Sequence, residues 1–395
     1  MHITNTMYIE TAYLIHLCIS ALAILTSAFL ANPFFRFNAR REMLREAKAR
    51  RSSEGNHIQP AVSIVLMTDR DAEKLDKKLD IIFRQDYNAD FEVVVVTEKG
   101  DSEVQDVLKR RADEPRLHST FIPATSRYMS TRKLGITLGV KAAKYEWIVL
   151  LDADTAPISE HWLSTLTKYS GNDDNLTIGY SNYQSEDSKG YYRYERLLLS
   201  HYLLPMAGSG KAYIANGTNF MFRRKEFIEQ DGYRGNLQYA HGEYDFIVNK
   251  LSHHASGISI MPDAWCSIQQ PSGKQWRNSH LAFIHLVRRF RGSWRFVLPF
   301  WFDTCILHGV FIGLLVGLAY HAIYNGWTYA CGDLAILLLF LGLRCWMARR
   351  ASNTFAAKIS FIKTPIYELS VLWRKAFHYL LYTYSSKIDY STHKI

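Results

Sequence analysis

Three apolar runs constrain this chain more than any other feature of it. Met7 to Ala31, Phe296 to Tyr324 and Trp327 to Ala348 are long and nearly free of charge. About 20 consecutive apolar residues cross the hydrocarbon core of a bilayer as a helix, a form that satisfies its own backbone there. Glu10, Asp303, Asp333 and Arg344 are the charged interruptions. No Lys or Arg precedes the first run, so it lacks the basic start of a signal peptide and reads as an uncleaved anchor. Topology follows from where the basic residues fall. Arg36, Arg40, Arg41, Arg45, Lys48, Arg50 and Arg51 follow the first run, Arg349 and Arg350 follow the third, and the turn around Asn325 and Gly326 has none. The expectation is an outside N-terminus, a cytoplasmic middle and a C-terminal hairpin with its tip outside.

Much of the formal net charge of +10 sits beside these runs, which points to a membrane surface, and no nucleic-acid-binding motif accompanies it. The five cysteines have an odd count and no metal-ligand spacing, which argues against a disulfide framework. The chain divides into an anchor (7–31), a basic juxtamembrane helix and linker (32–57), a middle (58–290), two further spans (296–348) and a basic-aromatic tail (349–395). For the tail, an interfacial helix and a membrane-dipping segment are both open.

The middle alternates strand and helix. Ala61 to Met67, Phe91 to Thr97, Leu117 to Ile122 and Glu146 to Leu151 read as strands. Leu75, Leu79, Ile82 and Phe83 recur at helical spacing within Asp71 to Asp86, and Ser102 to Ala112 and Thr131 to Lys144 also read as helices. Such alternation predicts a mostly parallel sheet with helices on both faces, and ligands bind such sheets beyond the carboxyl ends of the strands. Asp152-Ala153-Asp154 stands at one such end. Two carboxylates there can turn toward one cation. Oxygen ligands suit Mg²⁺ or Mn²⁺ bridging a diphosphate, and such an ion neutralises charge on a leaving nucleoside diphosphate. Solvated loop carboxylates are the alternative. Gly208-Ser209-Gly210-Lys211 lacks the full phosphate-loop pattern and a preceding buried strand, which excludes a nucleoside triphosphatase.

Four segments in order carry a resemblance. They are Ala61-Val62-Ser63-Ile64-Val65-Leu66, Val94-Val95-Val96-Thr97-Glu98, Lys133-Leu134-Gly135-Ile136 through Lys141-Ala142-Ala143-Lys144, and Tyr145-Glu146-Trp147 leading into Asp152-Ala153-Asp154. From about 58 to 290, well over half of the chain, the sequence resembles family 2 glycosyltransferases of the GT-A fold, especially membrane-anchored bacterial members. The resemblance implies an α/β fold with a Rossmann-like mixed sheet, joined to an N-terminal transmembrane helix and a C-terminal transmembrane hairpin. It implies transfer of a sugar from a nucleotide-sugar, a UDP-sugar favoured, to a lipid-linked or glycan acceptor. The implied location is the bacterial inner membrane, with the catalytic domain in the cytoplasm.

The same resemblance distributes roles. Asp152 and Asp154 would hold Mg²⁺ or Mn²⁺, with Asp152 also on the donor side. Glu98, where the family commonly has Asp, would contact the base or ribose, with Thr68 beside it; a solvated turn carboxylate is the other reading of Glu98. Lys133 would reach a phosphate or lie solvated on its helix. Asn216 and Asn219, within Gly210 to Phe222, would bond sugar hydroxyls on the acceptor side or form a turn. In His241-Gly242-Glu243-Tyr244-Asp245-Phe246 the resemblance puts the base of an inverting transfer at Glu243, or at Asp245 if the register slips by two. Carboxylates complementing a helix dipole are the alternative for both. Gln275, Trp276 and Arg277 are adjacent and depart from the Q-x-x-R-W spacing of processive members, which argues against a tunnel-forming polymerase. Trp276 would still stack on a sugar and Arg277 contact a phosphate. His280 would be an extra metal ligand or a structural histidine. A catalytically silent relative, binding a nucleotide-sugar or a partner at the membrane, is the second reading of the whole chain.

Overall fold

The computed structural model describes residues 2–52, 59–69, 71–123, 129–169, 175–183, 188–252 and 256–385. The chain forms two compact units, one of Met1–Asn38 with Trp294–Lys375 and one of Ala39–Ser293 with Ala376–Ile395. It opens with α1 (His2–Leu25), a π turn (Thr26–Ala31) and α2 (Pro33–Arg36). The second unit begins with α3 (Ala39–Ser52), then β1 (Val62–Met67), α4 (Ala72–Phe83), β2 (Phe91–Glu98), α5 (Ser102–Arg110), β3 (Leu117–Ile122), α6 (Thr131–Ala142) and β4 (Trp147–Leu151). It continues with β5 (Thr155–Pro157), α7 (Trp162–Leu166), β6 (Leu176–Gly179), β7 (Ser181–Tyr183), α8 (Gly190–Gly208), β8 (Phe220–Arg223) and α9 (Arg224–Glu229). Then come α10 (Glu243–Leu251), β9 (Ser256–Ser259), β10 (Cys266–Ile268) and α11 (Gly273–Leu286). The long helices α12 (Trp294–Tyr320), α13 (Trp327–Thr354) and α14 (Thr364–Tyr384) complete the chain.

The expected strands and helices stand where the apolar patterns put them, with boundaries set by caps. Asp71, at the head of an expected helix, instead accepts from the Lys74 N–H at 3.0 Å as the N-cap of α4. Asp101 and Ser130 cap α5 and α6 in the same way. The seven-stranded sheet has the order β3-β2-β1-β4-β8-β6-β9. β3, β2, β1 and β4 run parallel, whereas β8 is antiparallel to both β4 and β6, so the sheet is mixed. A smaller sheet has the order β5-β10-β7. The four valines of β2 are fully buried, as a strand covered on both faces requires. Helix α6 lies so close on this sheet that a Cβ at Gly139 would come within 2.5 Å of the Val65 side chain. That approach brings the N-terminus of α6 to the carboxyl ends of β1 and β4.

The basic segment after the first apolar run forms the helix expected there. α3 belongs to the sheet unit, and its buried Glu46 accepts from the Ser259 hydroxyl at 3.2 Å and the Ile260 N–H at 3.1 Å. Most of the expected linker, residues 53–57, lies outside the described residues.

In the other unit three helices are long and apolar enough to cross a membrane: Glu10–Ala31, Trp294–Tyr324 and Trp327–Thr354. Ile24, Leu307, Leu314, Leu337 and Phe340 form its apolar centre. Arg344 is 1% exposed there. It donates to Glu368 Oε1 at 2.7 Å, Asp303 Oδ1 at 3.0 Å, and Ser27 Oγ and O at 2.8 and 2.9 Å, tying α12, α13 and α14 to the end of the first span. An ionisable group at such depth persists only when paired. Arg344→Ala strands two buried carboxylates, and about 3–5 kcal/mol of stability is the expected loss. Thermal unfolding in detergent reads it. Arg344→Lys recovers only part, because an ammonium does not reproduce the planar fork. An alanine variant as stable as the parent would show that the network does not hold the helices.

Candidate active site

The parallel half of the sheet brings its strand ends to one edge. β1 ends at Met67, followed by Thr68 and Asp69; β2 ends at Glu98; β4 ends at Leu151, followed by Asp152-Ala153-Asp154. The Thr68 N–H and hydroxyl both donate to Val96 O at 3.2 Å, extending the β1–β2 pairing to the mouth of the site. Asp152 is buried and Asp154 is exposed. Protein packed around the Asp154 carboxyl still raises its pKa, and the Asp152 carboxylate adds to the rise.

Two basic residues hold this corner, and the sequence reading singled out neither. Lys78 of α4 is buried, and its ammonium donates to Asp152 O at 2.6 Å and Ala153 O at 2.5 Å, fixing the turn that aims the two carboxylates. Burial lowers its pKa to about 8 against the pull of Asp154 and Asp152. Its signal was available: Lys78 shares the buried face of α4 with Leu75, Leu79 and Ile82, and a lysine on an apolar face must find acceptors. Arg132, in the first turn of α6, pairs closely with Asp152. It also lies 3.4 Å from Asp69 Oδ1 and 3.7 Å from Glu243 Oε1. One guanidinium thus draws three carboxylates from three separate segments to one point.

Gly242 starts α10 with φ +79°, and a Cβ there would meet Leu286 Cδ1 at 2.7 Å, so both conformation and space require glycine. Glu243 follows in the first turn, with its side chain 12% exposed. The Tyr244 hydroxyl is buried near Asp152 but makes no hydrogen bond of acceptable geometry; burial, and then Asp152, hold its pKa well above the ordinary range. Asp245 keeps partial contact with solvent, yet the protein around it raises its pKa to about 7, with Glu243 adding to the rise and the Ala215 N–H and Arg196 opposing it. Because the folded pKa exceeds the unfolded one, the native state binds the extra proton between about pH 4 and 7, and stability falls as pH rises through that window. Asp245→Asn is therefore expected to flatten the dependence and to stabilise the protein at pH 8 by on the order of 1–3 kcal/mol. Denaturant melts at pH 5 and pH 8 check this; an unchanged pH slope in the variant would rule Asp245 out as its source.

The donor set fits Mg²⁺ or Mn²⁺. Asp152 and Asp154 offer only oxygen, such ions commonly take one or two protein carboxylates with substrate phosphates supplying the rest, and the buried Tyr244 hydroxyl beside Asp152 makes no well-formed hydrogen bond among the described residues.

Several expected site residues lie elsewhere. Lys133, expected at a phosphate, is fully buried and donates to Asn236 O at 2.9 Å and Tyr239 O at 2.5 Å, beneath the ring of Phe246. Burial lowers its pKa to about 8, with Glu243 opposing. It pins the loop that leads into α10 and has no reach to a donor. Asn219, expected at a sugar, is 2% exposed. Its amide donates to Tyr180 O and Ala264 O at 2.8 Å and accepts from Trp162 Nε1 at 3.1 Å, which makes it a clip within the core. Trp276 is buried in an aromatic stack, parallel to Tyr192 at 4.7 Å and against His280 at 4.0 Å, so it offers no open platform. His280 pairs with Glu195 at 2.9 Å and is structural. Asn216 donates to Ser200 Oγ at 2.7 Å, and its carbonyl accepts from Arg196 and from Ser181 Oγ. The Arg196 guanidinium lies where a Cβ on Gly217 would be, at 2.4 Å. Arg277 is exposed, and Glu98 is half-buried at the strand edge.

The chain is similar in structure to a mannosyltransferase, PcManGT from Pyrobaculum calidifontis, solved with GDP-Man and Mn²⁺, at 18% identity and TM-score 0.49 over 90% of this chain and 99% of that one. It is also similar to S. aureus TarS 1–349, at 13% identity and TM-score 0.39 over 80% of this chain and 92% of that one. The same TarS fragment with UDP-GlcNAc gives 12% identity and TM-score 0.40. No curated protein matches the chain in sequence. Residues 60–274, more than half of the chain and all of the strand-end residues described above, match the family glycosyltransferase like family 2, and the chain belongs to that family.

Proposed function

We propose that this glycosyltransferase is inverting and non-processive, and that it moves a sugar from a nucleotide-diphosphate sugar, a UDP-sugar favoured, to a lipid-linked or membrane-proximal acceptor. The observation that carries this reading is the convergence of Asp69, Asp152 and Glu243 on Arg132 at the carboxyl ends of the parallel strands. A site of that kind suits an anionic donor and a proton acceptor side by side. Asp152 and Asp154 would hold Mg²⁺ or Mn²⁺, which would supply charge neutralisation on the leaving diphosphate. Arg132 turns its planar fork from the carboxylates to the diphosphate oxygens. Lys78 keeps the Asp152–Ala153 turn in place, and Thr68 and Glu98 receive the nucleoside at the neighbouring strand ends. Glu243 takes the proton of the acceptor hydroxyl, while Asp245 and Asn216 shape the acceptor side and exposed Arg277 meets an acceptor phosphate. Lys133, Asn219 and Trp276 act one layer behind, as positioning residues.

The three apolar helices support a membrane-embedded chain. With the basic residues after the first and third spans, they support a cytoplasmic sheet unit at a bacterial inner membrane. The same features support the division into an anchor (7–31), a juxtamembrane segment (32–57), a catalytic domain (58–290), two further spans (296–348) and an interfacial or membrane-dipping tail (349–395).

The test is donor turnover by the full chain in detergent. One class of nucleotide-sugar is expected to raise the unfolding temperature only with Mn²⁺, by mass action on the native state, and to be converted to nucleoside diphosphate when lipid extract is added. Arg132 pairs with Asp152, one of the two carboxylates that would hold the cation, and this favours the silent-relative reading. Stabilisation by a donor that no acceptor extract causes to turn over would support that second reading and end the first.

A further inference from the structure

The unit of long helices holds a second cluster, away from the family's strand-end chemistry. His16 of α1, His321 in the turn after α12 and Asp333 of α13 meet with their ligating atoms all within 4.8 Å of one another. His16 Nε2 lies 3.2 Å from Asp333 Oδ1, and His321 Nδ1 lies 2.5 Å from Asp333 Oδ2. Asp333 is fully buried and His321 is 8% exposed. We propose that these three side chains form a zinc site that joins the three membrane helices.

The chemistry of the donors supports zinc. Two imidazoles and a carboxylate are a common set for Zn²⁺, at about 2.0–2.2 Å from the ion, with a fourth place for water. Ligands at those lengths in a tetrahedron stand about 3.3 Å apart, which is close to the spacing of His16 and Asp333, and the shorter His321–Asp333 contact opens toward it when the ion enters. The backbone around the cluster is built to admit it. A Cβ on Gly317 of α12 would meet His16 Cε1 at 2.9 Å and Asp333 Oδ2 at 3.5 Å. A Cβ on Gly332 of α13 would meet the Tyr13 hydroxyl at 2.1 Å. Glycine within a helix costs about 1 kcal/mol relative to alanine, and here each glycine makes room for a member or neighbour of the cluster. Tyr13 is held aside: its hydroxyl donates to Tyr329 O at 3.1 Å, and its ring stands edge-on to His321 at 5.0 Å.

Charge points the same way. A fully buried carboxylate in an apolar bundle needs a cation. Helix α1 contains no Lys or Arg, Arg295 lies at the opposite end of α12, and Arg344 is about three turns further along α13 and already paired with Asp303 and Glu368. His16, His321 and Asp333 all lie near the same end of their spans, within about 10 Å of it at 1.5 Å per residue, so an ion can arrive from water at that face.

The test uses the full chain in detergent as Asp152→Asn/Asp154→Asn, so that the strand-end site contributes no binding, loaded with Zn²⁺ and desalted. Elemental analysis is expected to find about one equivalent of zinc, falling to less than about a tenth when His321→Ala or Asp333→Asn is added, while His16→Cys, which keeps a zinc ligand, retains it. Less than about half an equivalent in the double variant, or no loss on removing His321 or Asp333, would overturn the site and leave a metal-free His–Asp–His clip. If His321→Ala does not fold, Co²⁺ decides in the double variant. Intense visible bands of a four-coordinate ion support the site, and the weak bands of a six-coordinate ion overturn it.

Discussion

Asp154→Ala is expected to abolish sugar transfer while leaving the fold intact. The two halves of that statement rest on different observations. Asp154 is exposed and lies one turn beyond the end of β4, outside the apolar core of Leu66, Val95, Val149 and Leu151. Among the described residues its side chain is hydrogen-bonded only to its neighbour, accepting from the Thr155 hydroxyl at 3.2 Å. Its removal therefore leaves the sheet register and the Lys78 clamp on the Asp152 and Ala153 carbonyls unchanged, and relieves Asp152 of a neighbouring negative charge. Thermal stability is expected to stay within about 0.5 kcal/mol of the parent, as at exposed positions away from special features. Catalysis depends on the carboxylate directly if the pair holds the cation that neutralises the leaving diphosphate. Loss of several kcal/mol of transition-state stabilisation corresponds to a fall of about 10³-fold or more in kcat/KM. Steady-state transfer with and without chelator measures it. An Asp154→Ala enzyme that transfers sugar at the parental rate in chelator-treated buffer would remove the metal from the proposal altogether.

Glu243→Gln is expected to bind donor and Mn²⁺ as the parent does and to lose about 10²- to 10⁴-fold in kcat, the usual worth of a general base. Glu243 stands in the first turn of α10, and the amide variant keeps its shape and removes its basicity. Its neighbour Arg132 links it to the Asp152 corner, so the base and the leaving group share one mouth. Asp245 faces the other way, toward the Ala215 N–H, Arg196 and Tyr213, with a pKa raised to about 7 by its enclosure and by Glu243. Asp245→Asn is expected to lower kcat less and to change acceptor KM more. The reverse ranking, with Asp245→Asn inactive and Glu243→Gln nearly normal, would assign the proton transfer to Asp245, whose pKa suits a base at neutral pH.

Much of this site was legible along the chain because strand ends are local features. Four buried runs bounded by polar residues identify β1, β2, β3 and β4, and the residue that follows each run must lie at the edge where such sheets bind ligands. Asp152 and Asp154 were found in that way, whereas Thr68, Glu98 and the Gly242-Glu243 junction came from the family resemblance. The three apolar helices were legible for a similar reason, since a run of apolar residues needs no partner to be recognised.

The amino-acid sequence alone located β1 to β4, the membrane-like helices and the Asp152/Asp154 pair at a strand end, because each follows from the composition of about 5 to 25 neighbouring residues. Only the tertiary structure decided which side chain of a neighbouring pair faces the site. Arg132 and Lys133 are adjacent, and about 100° of helical rotation separates them. Lys133 shares the stripe of buried Ile136 and Val140 and turns inward to the Asn236 and Tyr239 carbonyls, while Arg132 at the next stripe meets three carboxylates. Asn219 and Trp276 have polar or aromatic character that suits a sugar, but the strand and helix that carry them are covered by Trp162 and Tyr192. The same holds for His16, His321 and Asp333: more than 300 residues separate the first from the other two, and no local pattern registers a contact formed when three helices pack.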